Sequence, residues 1–525
     1  MQRRHPQVGV LLRRGNLIPL VLVLLAALFF HTWWGIRKEL PYLTHPDEPA
    51  SVKTAVRMAA EASLNPREFG YPGSTVVYPL AAVFRLRHLL MDHGPLWGPA
   101  PGIAAAFERN GGAFYLLGRS VSVLYAVLGV LAVYLVGNRA FGRKAGLLGA
   151  WLSILCPLAV SKAQLVRIDS ASAFFGLVGL YVCLRLYQRP GWRSQVIAGA
   201  CIGLAIATKY SLIPLLGVFA LANLFLLMEG KRKPVRLAEE IAGGLAAVVL
   251  AFVLATPFFL IELNTAIGNI RFEMRSTHLG QDGLSLLGNL RWYLSTVIPR
   301  SLKWPRVLLA VVACVYALVD CKPARLLVLA YPMVLLAGIS SSSLHWPRWI
   351  IPILPVISLL AAWIMVDAVG WVTARISAGK LLNGVGLAAT IFAVSYAPAR
   401  DVVRMNIQQS RPSTRILARE WVAANLPEGA VIAQEWYTAP LQGLPFKVVG
   451  VYHLPHKSFE YYRSAGVRYF LATSLNYGRY FAEPQRYAAE VAFYRRLFDE
   501  GSLLREFSPS STVPGQTVRI YELDP

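Results

Sequence analysis

The sequence predicts a polytopic α-helical membrane protein with a small soluble α/β domain at its C-terminal end. Three observations lead to this fold class. The 525 residues are 55% hydrophobic and only 15% charged, whereas ordinary soluble domains carry about 25% charged residues. Apolar segments recur along the chain at about the length that crosses a bilayer, roughly 20 residues. After residue 397 the composition becomes that of an ordinary soluble domain.

On that length criterion the chain contains about eleven predicted spans. They cover approximately residues 16–36, 113–137, 145–161, 170–187, 195–208, 211–228, 238–261, 304–319, 326–340, 349–369 and 381–397. The first segment could be taken for a signal peptide, but bulky residues follow it where a small-residue cleavage site would stand. We therefore interpret it as a retained span. The segment at 195–208 is short for a full crossing.

Basic turns between the spans predict the orientation of the chain. If the N-terminus is cytoplasmic, these turns all fall on the cytoplasmic side, as the positive-inside rule expects. They are residues 138–144, 188–194, 229–236, 321–325 and 371–380. The same distribution explains the net charge of +24, so this charge is no argument for nucleic-acid binding, and we expect no nucleic-acid partner. We expect a multi-pass protein of the cell (inner) membrane.

The same orientation places two long polar segments and the C-terminal end outside. We divide the chain into a membrane module, residues 1–397, with outer loops at 37–112 and 262–302, and an extracytoplasmic α/β domain, residues 398–525. In the second part, residues 416–422 have helical spacing and are followed by a Pro-Glu-Gly stop. Runs rich in β-branched and aromatic residues predict strands at 431–433, 467–472 and 518–523.

Several ionisable side chains fall at the predicted outer ends of the spans. They are Asp47, Glu48, Asp169, Lys209, His278, His345 and Arg348. Each has an ordinary explanation: Asp169 suits a helix N-cap, and Lys209 and Arg348 could extend to the membrane interface. Ionisable groups at membrane depth are costly, however. Acids and bases that gather on one face therefore indicate a functional cavity.

The order of these residues resembles that of the lipid-carrier-dependent GT-C glycosyltransferases, in the family 39-like group of protein O-mannosyltransferases and aminoarabinose transferases. The resemblance runs almost from end to end, although each motif is short. The matching segments are Asp47-Glu48, Tyr71-Pro72-Gly73-Ser74, Tyr78-Pro79-Leu80, the turn at Asp169, residues 203–210, Ala255-Thr256-Pro257-Phe258, residues 348–355 and residues 414–421. One departure is Trp349, because members often have a tyrosine after the arginine.

The resemblance implies a GT-C-like fold and an enzyme, a hexosyl or pentosyl transferase. Such an enzyme moves a sugar from a polyprenyl-phosphate donor to an acceptor hydroxyl on the outer face, usually with inversion. The acceptor stays open between lipid, glycan and protein. The implied roles are catalysis for Asp47, Glu48 and Asp169, binding of the donor phosphate for Lys209 and Arg348, and binding of substrate for Tyr71, Tyr210 and His345. Among these, Asp47 is the candidate base, which acts as the acceptor hydroxyl attacks.

A divalent metal is also left open, with Glu48, Asp169 and His278 as candidate ligands. The main alternative function is a transporter or lipid flippase that uses the same charged groups. Transporters commonly show repeated halves and broken helices near the bilayer midplane, and the sequence shows neither clearly. A third possibility, a non-catalytic scaffold that displays the C-terminal domain, leaves the long segment at 37–112 without a role.

Overall fold

The structure, a computed structural model, describes residues 14–33, 35–42, 45, 47–70, 73–375 and 380–523. Up to residue 409 its regular structure is helical. The helices are α1 (Arg14–Thr32), α2 (Glu48–Glu61), α3 (Ser74–Asp92), α4 (Gly102–Arg109), α5 (Gly111–Ala140), α6 (Arg143–Ile154), α7 (Pro157–Ala163), α8 (Asp169–Gln188), α9 (Trp192–Thr208), α10 (Leu215–Met228), α11 (Pro234–Ala255), α12 (Pro257–Ile261), α13 (Leu263–Glu273), α14 (Leu286–Trp292), α15 (Ile298–Leu302), α16 (Trp304–Asp320), α17 (Pro323–Ser340), α18 (Leu354–Arg375) and α19 (Lys380–Gln409).

Among the described residues, seven helical segments are long and apolar enough to cross a membrane. They are Leu17–Arg37, α5, α8, Tyr210–Met228, α11, α17 and α18. The pair α6 and α7 adds an eighth if it counts as one span bent by 68°. The other predicted spans fall on α9, α16 and α19, and α9 and α16 have only 17 residues each. The predicted multi-pass helical protein is confirmed, but a count of eleven needs these three helices as well.

The bend between α6 and α7 has a local cause. Pro157 is the first residue of α7, and its ring cannot continue the preceding helix. Arg306, which is fully buried, donates from Nη1 to the carbonyl oxygens of Leu152 (2.9 Å) and Leu155 (3.2 Å). These hydrogen bonds satisfy carbonyl oxygens near the break. A carbonyl oxygen without a hydrogen bond would be costly in an apolar interior.

The segment predicted as an outer loop, residues 37–112, folds into helices α2, α3 and α4. Their apolar sides form a core with the beginning of α5, around Leu80, Phe84, Ile103 and Phe114. The segment is therefore a packed layer at one end of the bundle. It fixes the position of the acidic pair, because Asp47 lies directly before α2 and Glu48 is the first residue of α2.

Helix α9 packs closely against α11 through glycine. A Cβ added at Gly199 or Gly203 would collide with the carbonyl oxygen of Gly244 or Val248. Small residues spaced by four let membrane helices approach closely. This close packing holds α9 in place. It therefore also positions Lys209, which directly follows the C-terminal end of α9.

The C-terminal domain has the predicted α/β fold. It contains α20 (Thr414–Asn425), α21 (Phe459–Ser464), α22 (Ser474–Ala482), α23 (Ala488–Glu500), β1 (Val431–Glu435), β2 (Lys447–Val451), β3 (Tyr469–Thr473), β4 (Ser502–Phe507) and β5 (Val518–Glu522). The sheet order is β2-β1-β3-β5-β4. Strand β1 runs parallel to β2 and β3, and β5 runs antiparallel to β3 and β4. The prediction found α20, β1, β3 and β5 and missed the more exposed strands β2 and β4.

The C-terminal domain is fastened to two loops of the helical part. Leu279 packs against the domain core, and Arg486 forms an ion pair with Asp282. On the other side, Arg419 lies over the ring of Tyr42, 4.3 Å from its centroid. Helix α19 continues to Gln409, past the boundary that we predicted at residue 397. The domain therefore covers the end of the bundle at which α2 begins.

Candidate functional site

The candidate site lies where four chain segments meet below the C-terminal domain. Asp47 stands before α2, Asp169 begins α8, and Lys209 follows α9. Arg348 belongs to a short 3₁₀ turn, Pro347–Ile350, between α17 and α18. The fold thus brings together side chains that are up to about 300 positions apart in the sequence.

These side chains form a continuous ion-paired chain, which we name the Asp47 network. Asp47 pairs with Nη1 of Arg167, and Nε of the same arginine lies 3.0 Å from Oδ2 of Asp169. Nζ of Lys209 lies 3.1 Å from the other carboxylate oxygen of Asp169. Nη1 of Arg348 lies 4.0 Å from Oδ2 of Asp47. The network consists of these five residues.

The two ends of the Asp47 network differ in exposure. The side chain of Asp169 is only 1% exposed and that of Lys209 10%, so their pair lies inside the protein. The side chain of Asp47 is 36% exposed and that of Arg348 is 21% exposed. Asp47 and Arg348 are therefore partly open to solvent, whereas Asp169 and Lys209 are enclosed and paired with each other.

Glu48 has a different environment from its neighbour Asp47. Arg119 donates to both of its carboxylate oxygens, from Nε at 2.9 Å and from Nη2 at 2.7 Å. The backbone N–H of Val166 donates to Oε1 at 2.9 Å. Nη1 of Arg119 also donates to the carbonyl oxygens of Ile36 and Lys38. We name this arrangement the Glu48 clamp, since it ties α2, α5 and two turns together.

The Glu48 clamp argues against the catalytic and metal-binding roles predicted for Glu48, because its carboxylate is 1% exposed and its oxygens are occupied. The predicted metal ligands are not assembled either. Across the described ranges of the chain, no group of three or more His, Cys, Asp or Glu side chains could hold a metal ion. His278 instead contacts Nη2 of Arg275 at 3.1 Å and lies beside Trp346.

The residues predicted to bind substrate are spread over different settings. The hydroxyl of Tyr210 donates to the carbonyl oxygen of Phe69 at 3.0 Å. Nδ1 of His345 lies 3.0 Å from Oδ1 of Asn289, and its ring stacks on Trp292 at 4.1 Å. Both contacts favour a structural role. Tyr71 lies outside the described residues.

Sequence reasoning missed the cations that surround the acids. Arg167 bridges Asp47 and Asp169, and Lys162 lies close enough to Asp169 and Arg348 to interact with them electrostatically. Burial and the charges of Arg167, Lys162, Lys38 and Arg415 lower the pKa of His45 to about 2, so this imidazole is neutral. One signal was available: Lys162 and Arg167 stand in a turn predicted to be outside, where the positive-inside rule disfavours them.

Comparisons with known proteins agree with this architecture. The family model for dolichyl-phosphate-mannose-protein mannosyltransferase matches residues 112–260. No curated protein sequence matches the chain. Among solved structures, ArnT from Cupriavidus metallidurans bound to undecaprenyl phosphate is similar, with a TM-score of 0.56 at 15% identity, over 96% of this chain and 98% of that chain.

A second similar structure is the archaeal oligosaccharyltransferase AglB from Archaeoglobus fulgidus, in complex with an inhibitory peptide and a dolichol-phosphate. Its TM-score is 0.53 at 13% identity, over 95% of this chain and 74% of that chain. The predicted resemblance to the GT-C glycosyltransferases is thereby confirmed at the level of the fold. The chain is a multi-pass membrane protein with this fold.

Proposed function

We propose that this protein is a membrane glycosyltransferase that moves a sugar from a polyprenyl-phosphate donor to an acceptor hydroxyl. One observation carries the proposal: Asp47 is an accessible carboxylate held between Arg167 and Arg348 at one end of the bundle. The proposal draws support from the fold, since similar structures contain undecaprenyl phosphate or dolichol-phosphate. The fold alone does not define the activity, which has to come from the site.

On the donor side, Arg348 is the cation that we assign to the phosphate. Its side chain is 21% exposed, and it lies over the ring of Trp346, 4.3 Å from the centroid. Negative charge grows on the phosphate as the bond to the sugar breaks, and a fixed cation stabilises that charge most in the transition state. Lys209 is bound to Asp169, so we assign it a positioning role instead of the phosphate contact predicted from the sequence.

On the acceptor side, Asp47 is the proposed base. A carboxylate is far too weak to ionise a sugar or serine hydroxyl in advance, so it takes the proton only as the hydroxyl attacks. Concerted transfer requires an aligned carboxylate within hydrogen-bond distance of that hydroxyl. The pair with Arg167, which is fixed in turn by Asp169, supplies this alignment.

We further propose that the site faces the extracytoplasmic side, with the N-terminus in the cytoplasm and the C-terminal domain outside. The basic turns on the opposite side support this orientation. A cysteine introduced at Ser510, an exposed position of the domain, reports the orientation. Labelling by a membrane-impermeant maleimide in intact cells is the expected result, and labelling only after lysis would reverse the assignment.

Asp47→Asn tests the proposed chemistry. We expect general-base loss to reduce sugar transfer by about 10²- to 10⁴-fold in membranes supplied with lipid-linked donor, while undecaprenyl phosphate still binds to the purified protein. Glu61→Gln, which alters an exposed acid of the same helix, is the control and should remain active.

Arg348→Ala should lower both binding of undecaprenyl phosphate and turnover. Full transfer by Asp47→Asn would exclude Asp47 as the base. Translocation of the lipid without sugar transfer would instead identify a flippase.

A further inference from the structure

The C-terminal domain turns the carboxyl ends of three parallel strands toward one edge. Strand β1 ends at Glu435, β2 at Val451 and β3 at Thr473, and β1 is parallel to both neighbours. In open α/β sheets, ligands bind in the crevice outside this edge. The residues that follow β1 and β2 here are Trp436-Tyr437 and Tyr452-His453, and we name these four residues the aromatic edge.

The aromatic edge presents rings in a form that suits a sugar. Trp436 is 48% exposed, although it is a large aromatic residue, and its ring centroid lies 4.7 Å from that of Tyr452. Tyr452 in turn lies 4.4 Å from His453. Nδ1 of His453 is buried and has no hydrogen-bond partner among the described residues. Aromatic rings with polar tips offer an apolar face together with hydrogen-bonding groups.

Tyr437 adopts a conformation that bulky residues seldom accept. Its φ is 68°, in the left-handed region, where a non-glycine aromatic residue is an outlier that its surroundings must hold in place. Arg415 supplies part of that hold: Nε donates to the carbonyl oxygen of Thr438 at 3.3 Å, and the guanidinium lies 5.8 Å from the Tyr437 ring. Arg419 fixes the next residues by donating to the carbonyl oxygens of Pro440 and Gln442.

The aromatic edge lies near the Asp47 network. Arg167, the arginine that pairs with Asp47, is close enough to Tyr437 to interact with its phenol electrostatically. Arg479 acts on both His278 and His453, and its side chain lies against Gly280 of the loop below. Tyr437, His278 and His453 therefore lie near the Asp47 network, where the domain meets the helical part.

The imidazoles of His278 and His453 are uncharged. Burial and nearby arginines lower the pKa of His278 to about 4, and burial together with His456 and Arg479 lowers the pKa of His453 to about 3. Neutral imidazoles donate and accept hydrogen bonds to hydroxyl groups. Rings, neutral imidazoles and a phenol together suit a polyhydroxylated ligand.

We propose that the aromatic edge is the acceptor site and that the acceptor is a carbohydrate. Trp436, with Tyr452 packed edge-on against it, covers the apolar face of a sugar ring, and Tyr437 acts as a positioning residue that holds the acceptor hydroxyl toward Asp47. This inference rests on the proposed function and adds the class of acceptor to it.

Three variants of the full-length protein test the acceptor site: Trp436→Ala, Tyr437→Phe and the control Tyr461→Phe. Tyr461 is an exposed tyrosine of the same domain, in α21. Binding of neutral oligosaccharides released from the cell envelope is measured by saturation-transfer NMR, and binding of undecaprenyl phosphate by native mass spectrometry. Sugar transfer is then measured in membranes. The unfolding midpoint of each variant is also measured. We expect the domain to remain folded in Trp436→Ala, because Trp436 is half-exposed.

We expect Trp436→Ala to weaken oligosaccharide binding at least about 10-fold, with undecaprenyl phosphate binding within about 2-fold of wild type. Tyr437→Phe should keep oligosaccharide binding but reduce transfer about 10-fold or more, and Tyr461→Phe should change neither. Unchanged oligosaccharide binding in Trp436→Ala, or no oligosaccharide binding by the wild type, would overturn the acceptor site. Failure of the proposed function looks different: the wild type and Asp47→Asn would then give the same background transfer, whatever the oligosaccharide titrations show.

Discussion

Asp47 and Glu48 are neighbours in the sequence, but the fold places them in opposite environments. Glu48 is 1% exposed, and Arg119 and a backbone N–H occupy its oxygens. Asp47 is 36% exposed and shares Arg167 with a second acid. A buried carboxylate whose oxygens are all occupied holds the structure together, whereas a partly exposed carboxylate beside a fixed cation can meet a substrate. The two acids therefore have different roles: Glu48 stabilises the fold, and Asp47 is available to a substrate.

The start of α2 is the physical reason for the difference. Successive residues on an α-helix point about 100° apart, so a helix that begins at Glu48 directs neighbouring side chains to different sides. Glu48 points into the bundle toward α5. Asp47 stands in the N-cap position but makes no side-chain cap bond, so its carboxylate is left for Arg167 and Arg348.

The largest expected effect comes from breaking the Glu48 clamp. Glu48→Leu leaves Arg119 as a buried, unpaired charge, and removing one partner of such a pair costs about 3–5 kcal/mol. We expect a large fall in the unfolding midpoint of the purified protein. The double variant Glu48→Leu/Arg119→Met should recover part of it, because no lone charge remains. The control is Arg496→Gln, which breaks an exposed pair with Glu500 that is worth about 0.3–0.5 kcal/mol. A Glu48→Leu protein as stable as the control would refute the clamp.

A smaller effect is expected from Arg167→Lys, which alters the support of Asp47. Arg167→Lys keeps the positive charge, but an ammonium group cannot reproduce the planar fork that contacts Asp47 and Asp169 at once. We expect roughly a 10- to 100-fold loss of turnover from misplacement of Asp47, with a much smaller change in stability than Glu48→Leu shows. Wild-type turnover in Arg167→Lys would mean that the bridge does not position the base.

Another buried carboxylate, Glu435, differs from Glu48 because it forms no ion pair within the part of the chain that the structure describes. It accepts from the Tyr494 hydroxyl and from the N–H groups of Thr473 and Leu454. Burial is the main cause that raises its pKa from 4.5 to about 7. The folded state therefore binds this proton more tightly than the unfolded state, so its contribution to stability is fully present below pH 4.5 and is lost as the pH rises through about 7.

Glu435→Gln, which resembles the protonated form, should remove this pH dependence. We expect the wild type to lose stability on the order of 2 kcal/mol more than the variant between pH 5 and pH 8. The measurement is the unfolding midpoint of both proteins across that pH range. Parallel curves for the two proteins would show that Glu435 is not the titrating group.

The sequence was enough to predict the helical membrane fold, the α/β domain and the positions of Asp47, Asp169, Lys209 and Arg348 at one end of the bundle. Apolar periodicity and loop charge are local signals, so they can be recognised without knowledge of the fold. Ion pairs between distant residues are not local. Arg119 is 71 positions away from Glu48, and Arg167 is 120 positions away from Asp47, so the sequence does not reveal that these residues pair.

The same limit applies to the C-terminal domain. Its buried strands β1, β3 and β5 carry a clear apolar pattern, whereas β2 and β4 are largely exposed and read as loop. The aromatic edge was not predicted at all, because Trp436 and Tyr452 meet only after β1 and β2 pair in parallel. The short segment 195–208 was expected to be a weak span, and its packing through Gly199 and Gly203 explains how it is held.

The most direct measurement compares Asp47→Asn and Glu48→Gln in one preparation, with sugar-transfer turnover and unfolding midpoint recorded for each. We expect opposite effects: Asp47→Asn loses about 10²-fold or more of its turnover and keeps its midpoint, whereas Glu48→Gln loses stability and keeps the turnover of its folded fraction. If Asp47→Asn transfers sugar normally, or if Glu48→Gln alone is inactive while fully stable, the division of roles between the two acids is wrong.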